Sequence, residues 1–167
     1  IIKHLGYNAS EEIINKKINR NLRLLKESLE ENPNDGYILF QLGQTYIMIR
    51  DFENAKISLE LALKKTNISS AIRSSILNIL SQFAGIDGDF NKALLLVNES
   101  LSITENQELG LAIKAEALNK LGNYKEALLY YKKLLFYKKN KSPFIETGFD
   151  ITINESKIIS IINKLSE

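Results

Sequence analysis

A turn, an aromatic residue and, three positions later, an alanine recur together three times in this chain. The copies read D-F-x-x-A at 51–55, D-F-x-x-A at 89–93 and N-Y-x-x-A at 123–127. The first two alanines are 38 residues apart and the last two are 34 apart. Recurrence at a nearly fixed period of about 20–50 residues is typical of repeat proteins, in which each copy is one supersecondary unit. The chain is therefore expected to stack several such units.

The stretch Gly36–Ser69 is the clearest copy. Its apolar residues fall at helical spacing on two successive segments, which are interrupted near Arg50. This pattern predicts two short antiparallel helices. Gly43 and Ala55 are small residues among large ones, as is needed where two helix axes approach closely.

Within this stretch, L-G-x-x-Y at 42–46 is followed by D-F-x-x-A-x-x-x-L-x-x-A at 51–62. This pattern resembles the tetratricopeptide repeat (TPR), a helix–turn–helix unit of about 34 residues. It departs from the family at Leu39, where Trp is usual, and at Asn67, where Pro is usual. The resemblance implies an all-α fold, a right-handed superhelical array of antiparallel helix pairs (a TPR-like α-solenoid).

Aligned on this pattern, three repeats are predicted at 36–69, 74–107 and 108–141. Ahead of them, Ser10 is a predicted N-cap for a long helix whose second half packs as half a repeat. The four residues beyond the usual period between the first two alanines are placed in the junction at 67–73. Residues 142–167 are predicted to form an irregular segment and a last helix.

The last helix is predicted to begin after Asn154 and has a broad isoleucine-rich face. The final repeat of a solenoid has no neighbour to bury its inner face, so a terminal helix commonly covers it. The helix is therefore expected either to cap the array or to mediate self-association.

Composition argues against several classes of partner. With 22 basic and 20 acidic residues, the net charge is only +2, which favours neither nucleic acid nor a membrane surface. No apolar run approaches the roughly 20 residues of a membrane span. The chain has no cysteine, which excludes disulfides and thiolate metal sites and favours a reducing compartment, so a cytoplasmic location is predicted. Because the chain lacks an initiating Met, we expect it to be part of a longer protein.

Candidate chemistry within the repeats is sparse. The chain has one histidine and no cysteine, and its carboxylates are scattered, so the array alone is predicted to be non-enzymatic and to need no metal or cofactor. The segment G-I-D-G-D at 85–89 resembles an ion-binding loop in composition, but it aligns with the turn at Arg50 and is interpreted as an interhelix turn. The lysines at 132–133 and 138–141 alternate with aromatic residues that fall on core positions, which favours a solvated face over a nucleic-acid site.

The TPR resemblance also implies a ligand-binding groove, because in that family the first helix of each repeat lines the concave face. A protein or peptide partner is expected there. The alternative is that the apolar positions of the first repeat cover the N-terminal helix or an upstream domain. The Lys and Asn pattern of the carboxylate-clamp subclass is missing, which argues against binding of chaperone tails. The positions carried over from the family are Tyr37, Phe40, Gln44, Ile47, Met48, Ser75, Asn78, Gln82, Gly85, Ile86, Leu109, Ala112, Glu116, Asn119 and Lys120.

The N-terminal segment has a second resemblance. H-L-G-Y at 4–7, K-x-x-R-N at 17–21 and N-P-N-D at 32–35 resemble the junction between the catalytic domain of a bacterial family-2 glycosyltransferase and its C-terminal TPR array. Such a parent enzyme would use a nucleotide sugar and a divalent metal. His4 would then lie near the metal–diphosphate site, and Lys17 or Arg20 would approach phosphate or dock the helix. Residues 1–35 would be the tail of that domain, a linking helix and a half repeat.

Two functional hypotheses remain open from the sequence. In the first, the array positions an acceptor, or a second subunit, beside an upstream sugar-transferase domain. In the second, it is a stand-alone scaffold or regulatory adaptor that binds peptides. A lone histidine beside an apolar run is also compatible with a purely structural role for His4.

Overall fold

In the computed structural model of the protein, residues 5–140 and 154–166 are described, with side chains from residue 12 onward. These residues form eight α-helices and no strand. The helices are α1 (Leu5–Glu31), α2 (Gly36–Met48), α3 (Phe52–Leu63), α4 (Ser70–Ile86), α5 (Phe90–Ile103), α6 (Glu108–Lys120), α7 (Tyr124–Lys139) and α8 (Glu155–Ser166).

Three tight turns join α2 to α3, α4 to α5 and α6 to α7. Each contains one residue in the left-handed region, at equivalent repeat positions: Arg50 (φ 62°), Gly88 (φ 82°) and Gly122 (φ 79°). In the first two turns, the carboxylate of Asp51 or Asp89 then accepts a hydrogen bond from a backbone N–H of the following helix. These caps satisfy donors that a helix N-terminus leaves open. The segment 85–89 is therefore the end of α4 and an interhelix turn, as predicted.

The helices group into two compact units that divide between Ile68 and Ser69. In the N-terminal unit, α1 packs against α2, and α2 and α3 form a helical hairpin. Gly43 on α2 lies so close to α3 that a Cβ added to it would be 2.6 Å from Cγ of Leu59. The side chain of Asn67 accepts a hydrogen bond from the N–H of Gly36. It thereby holds the end of the unit against the start of α2.

In the C-terminal unit, α4–α5 and α6–α7 form two hairpins, and α8 packs against α7. Ile158 of α8 is fully buried in a core with Leu118, Tyr131 and Leu134. Three further apolar residues of α8, Ile161, Ile162 and Leu165, pack on the same core. The predicted capping helix is therefore confirmed.

The start of α1 was predicted wrongly. The helix begins at Leu5 and includes Gly6 and Asn8, so Ser10 lies inside it and is no N-cap. A glycine inside a helix costs about 1 kcal/mol relative to alanine. Extending an existing helix by one turn needs no new nucleus, so a long helix such as α1 can include such residues.

The four extra residues of the second repeat lie within the predicted segment 67–73, but they belong to a helix rather than to the junction between helices. They form the first turn of α4, so that α4 has 17 residues where α2 and α6 have 13. Because these residues extend α4 at its N-terminal end, the rest of α4 keeps its buried face. Ser69 caps the added turn by accepting a hydrogen bond from the N–H of Ile72.

Candidate functional site

A groove of about 540 Å³ lies within the C-terminal unit. The first helices of two repeats, α4 and α6, line it together with α8. The second helices α5 and α7 also contribute lining residues. Most of its lining is apolar. The lining residues are Ser81, Gln82, Gly85, Ile86, Phe90, Ala93, Leu109, Ala112, Ile113, Glu116, Ala117, Lys120, Tyr131, Lys157 and Ile161.

Glu116 is the acidic residue of the groove lining. Its carboxylate accepts a hydrogen bond of 2.8 Å from the hydroxyl of Tyr131 and forms an ion pair of 3.8 Å with Lys120 one turn later on α6. Burial raises the pKa of Tyr131 strongly, and the adjacent carboxylate raises it further. Tyr131 therefore stays neutral at physiological pH and acts as a donor that orients Glu116.

The α4 side of the groove is open. A Cβ added to Gly85 would meet no atom within 4 Å, and the neighbouring Ile86 is 80% exposed. Because Gly85 has no side chain and Ile86 is exposed, this side of the groove has room for a side chain of a ligand. Ligand sites commonly combine an apolar concave floor with a few polar groups that fix orientation.

The structure brings together seven of the residues predicted from the TPR pattern. All seven line the groove: Gln82, Gly85, Ile86, Leu109, Ala112, Glu116 and Lys120. Asn119 is half-buried on α6 but does not line it. The register of the first helices thus places these seven positions along one groove, and their role in binding stays a prediction.

Two predicted positions on α4 need correction. Asn78 is fully buried, and its side-chain amide donates a hydrogen bond of 2.6 Å to Gln107, so it does not face a ligand. Ser75 is also buried and does not line the groove. Both lie in the stretch 74–81 of α4, in which every residue is buried.

The five predicted positions on α2 belong to the N-terminal unit and have mixed exposure. Tyr37 and Met48 are exposed, and Gln44 and Ile47 are half-buried. Phe40 is only 8% exposed, so this residue acts as a core residue. Its burial is compatible with the alternative interpretation, in which the apolar positions of the first repeat cover the N-terminal helix or an upstream domain.

Eight lining residues were not predicted from the repeat positions: Ser81, Phe90, Ala93, Ile113, Ala117, Tyr131, Lys157 and Ile161. Tyr131 lies on a second helix, and Lys157 and Ile161 lie on α8, which is outside the repeats. The equivalent position of the preceding repeat carries the smaller Val97. The larger aromatic side chain at 131 was the signal in the sequence that α7 could reach the groove.

The residues of the second resemblance lie outside the described part of the chain or on its exposed surface. His4 lies outside the described residues, while Lys17 and Arg20 are exposed on α1. Across residues 5–140 and 154–166, no group of three or more His, Asp or Glu residues is arranged to hold a metal ion. None of the described helices is both long enough and apolar enough to cross a membrane.

Comparison with known proteins supports the repeat assignment. The profile of the tetratricopeptide repeat family matches residues 24–57, which end α1, include α2 and begin α3. No curated protein sequence matches the chain significantly.

Several solved structures share the fold. MamA is 14% identical, with a TM-score of 0.64 over 99% of this chain and 95% of MamA. YrrB, described as a TPR protein with an unusual peptide-binding site, is 13% identical, with a TM-score of 0.65 over 95% of this chain and 81% of YrrB. PilF of Pseudomonas aeruginosa is 18% identical, with a TM-score of 0.65 over 85% of this chain and 57% of PilF.

At such low sequence identity, these structures support the fold and say nothing about activity. The chain is an all-α solenoid of antiparallel helix pairs of the tetratricopeptide type, closed by a C-terminal helix. The fold class predicted from the recurring alanines and aromatics is confirmed.

Proposed function

We propose that this chain is a protein-interaction module that binds a peptide segment of a partner in the groove between α4, α6 and α8. The observation that carries this proposal is the apolar groove beside Gly85, in whose lining Tyr131 holds Glu116 by a hydrogen bond. The description of YrrB as a TPR protein with a peptide-binding site supports it by analogy of fold.

The lining residues indicate which peptides would fit. Leu109, Ala112 and Ile161 offer an apolar floor for a Leu, Ile or Phe side chain. Around it, Glu116 offers a carboxylate, while Lys120 and Lys157 offer ammonium groups. A segment with one or two apolar anchors flanked by charges of both signs complements this surface.

A binding experiment on the open side of the groove tests the proposal. Random 12-residue peptides are selected on the wild-type chain, and the dissociation constant of the best fluorescent peptide is measured by anisotropy. Gly85→Trp fills the open space without meeting another protein atom within 4 Å of its Cβ. We expect this substitution to weaken binding by about tenfold or more, since the indole occupies the place of the ligand side chain.

Asn98→Trp, on the exposed side of α5 and outside the groove, is the matched control and should bind as the wild type does. Replacing glycine inside a helix also removes a helix-propensity cost, so Gly85→Trp should fold at least as stably as the wild type. Equal binding by Gly85→Trp and wild type would place the peptide elsewhere, and failure to enrich any peptide would refute the module.

The sugar-transferase parent remains a separate proposal. Its support is the sequence resemblance at 4–7, 17–21 and 32–35, together with a repeat array directly after it. In this proposal, the groove holds a protein or glycan acceptor, or a second subunit, beside a domain that uses a nucleotide sugar and a divalent metal. A cytoplasmic location fits either proposal.

The test of this parent is the reading frame upstream of Ile1. If that region encodes no strand-rich nucleotide-sugar domain with an Asp-x-Asp-like motif, the transferase hypothesis is lost. The stand-alone scaffold would then be the remaining explanation of the groove.

A further inference from the structure

The outward faces of the three second helices carry one residue pattern with three different charges. On each helix, the residues two positions before the recurring alanine, two positions after it and five positions after it form a stripe of three residues. On α3 the stripe is Glu53, Ile57 and Glu60; on α5 it is Asn91, Leu95 and Asn98; on α7 it is Lys125, Leu129 and Lys132. The charged positions are therefore acidic, neutral and basic in turn.

The central aliphatic residue of each stripe is exposed to solvent. Ile57 is 48% exposed, Leu95 is 68% and Leu129 is 62%. All six flanking side chains are exposed as well. A single exposed aliphatic residue is ordinary on a protein surface, but here the charges that flank it change sign from α3 to α7.

The spacing within a stripe is that of a helix-pairing seam. Its residues follow one another at four and then three positions, which keeps them on one side of a helix facing a partner helix. We call Glu53, Ile57 and Glu60 the acidic stripe, and Lys125, Leu129 and Lys132 the basic stripe. Laid parallel and in register, the two stripes place both carboxylates opposite ammonium groups and Ile57 opposite Leu129.

The residues beside the stripes are compatible with this register. In the same alignment, Asn54 faces Glu126 and Leu61 faces Lys133, so that no like charges meet. Lys64 faces Phe136, which is itself exposed, an arrangement that allows a cation–π contact. Pairing two acidic stripes or two basic stripes would instead bring like charges together, which opposes association.

We propose that two copies of this chain associate through α3 of one molecule and α7 of another, with the acidic stripe paired to the basic stripe. One helix pair is smaller than the roughly 800 Å² per partner of a stable interface. The association is therefore weak, depends on concentration and declines with salt, because exposed charges are screened.

Charge reversal tests the pairing. The weight-average mass is measured by sedimentation over a range of concentrations, starting from the 19.0 kDa of one chain. We expect the wild-type mass to rise with concentration and to fall back in high salt. Glu53→Lys with Glu60→Lys should raise the dissociation constant by about tenfold or more, and so should Lys125→Glu with Lys132→Glu.

Mixing these two double variants should restore association, because each then finds the opposite charge on the other molecule. The quadruple variant that exchanges the charges of both stripes should also self-associate. Asn91→Ala with Asn98→Ala, which changes the α5 stripe without giving it a charge, is the matched control and should behave as the wild type does. Thermal unfolding followed by circular dichroism verifies that each variant is folded.

Three outcomes would overturn the proposal. The first is a wild-type chain that stays at the mass of one molecule up to about 1 mM. The second is either double variant associating as strongly as the wild type does. The third is folded double variants whose mixture, and whose quadruple combination, remain monomeric.

Discussion

The hairpins α2–α3 and α4–α5 have the same turn at equivalent positions, but different contacts hold their helices together. In α2–α3 the contact is apolar: Gly43 leaves room for Leu59 to lie against the backbone of α2. In α4–α5 the equivalent residue is Ser81, whose hydroxyl donates a hydrogen bond of 2.6 Å to the carbonyl of Ala93. One helix pair is fixed by shape and the other by a directional bond.

The polar character of α4–α5 extends into a buried network around Gln107. The side-chain nitrogen of Gln107 donates to the carbonyls of Ser100, at 2.9 Å, and Thr104, at 2.5 Å. Its oxygen accepts from Asn78, while the hydroxyl of Ser100 donates to the carbonyl of Ser74. The network therefore joins α4, α5 and the residue before α6.

This difference predicts unequal tolerance to substitution. Shape complementarity can relax around a small change, whereas a buried polar group that loses its partner keeps the full cost of its removal from water. The C-terminal unit should thus be more sensitive to loss of one side chain than the N-terminal unit is.

The largest effect is expected from Gln107→Ala. It removes the hydrogen bonds that Gln107 makes with the amide of Asn78 and with the carbonyls of Ser100 and Thr104. This loss should lower the free energy of unfolding by about 3 kcal/mol or more. Amide hydrogen exchange measures this loss separately in each unit, and we expect faster exchange in α4, α5 and α6 with little change in α2 and α3.

Glu105→Ala, an exposed substitution in the same loop, is the control for Gln107→Ala and should leave exchange nearly unchanged. A loss below about 1 kcal/mol for Gln107→Ala would mean that the network adds little to stability, since that is the ordinary worth of one hydrogen bond. The contrast between the two hairpins would then have no energetic basis.

A smaller loss is expected from Gly43→Ala. The new methyl group would lie 2.6 Å from Cγ of Leu59, and relief of this overlap should cost about 1–2 kcal/mol after the better helix propensity of alanine is included. Urea unfolding measures the loss. Adding Leu59→Val, which copies Val97 of the next hairpin, should recover part of it by removing a methylene from the contact.

Gly85→Ala is the matched control, because its new methyl group meets no atom within 4 Å. It should stabilise the chain by roughly 0.5–1 kcal/mol through helix propensity alone. If both substitutions stabilised the chain, close packing at Gly43 would not be what holds α2 to α3.

The smallest effect concerns the turns that the hairpins share. Gly88→Ala should lower stability by about 1 kcal/mol, since an L-residue is strained at φ 82°. Arg50→Gly should change it in the opposite direction by up to about 1 kcal/mol, because Arg50 already occupies this conformation at φ 62°. Thermal unfolding of the two variants gives the signs, and two changes of the same sign would contradict this account of the turns.

Much of the fold was predictable because it repeats. Ala55, Ala93 and Ala127 are all buried where second helices approach their partners, so their spacing identified three hairpins before any contact was known. The isoleucines after Asn154 identified a helix with an apolar face, and burial of Ile158 shows which surface it covers. Local signals with a fixed period were sufficient here.

The candidate site was only partly predictable, since its walls come from segments far apart in sequence. The repeat register located Glu116 and Gly85, but Tyr131 and Lys157 reach the groove only through packing of α7 and α8 on α6. The buried network was also missed. Ser74, Asn78 and Ser81 follow one another at helical spacing on a buried face, and this run of polar residues is the signal that indicates such a network.

The added turn at the start of α4 has a consequence for how such chains change length over evolution. This turn lies at the N-terminal end of α4 and leaves the rest of the helix in register. A residue inserted inside a helix instead rotates everything beyond it by about 100°, so an internal gain of two residues would turn the buried face beyond it nearly to the opposite side. A gain of four rotates it by only about 40° past a full circle, which side-chain adjustment can absorb. Insertions and deletions that survive selection within these helices should therefore come in whole turns, while other length changes should be confined to the loops.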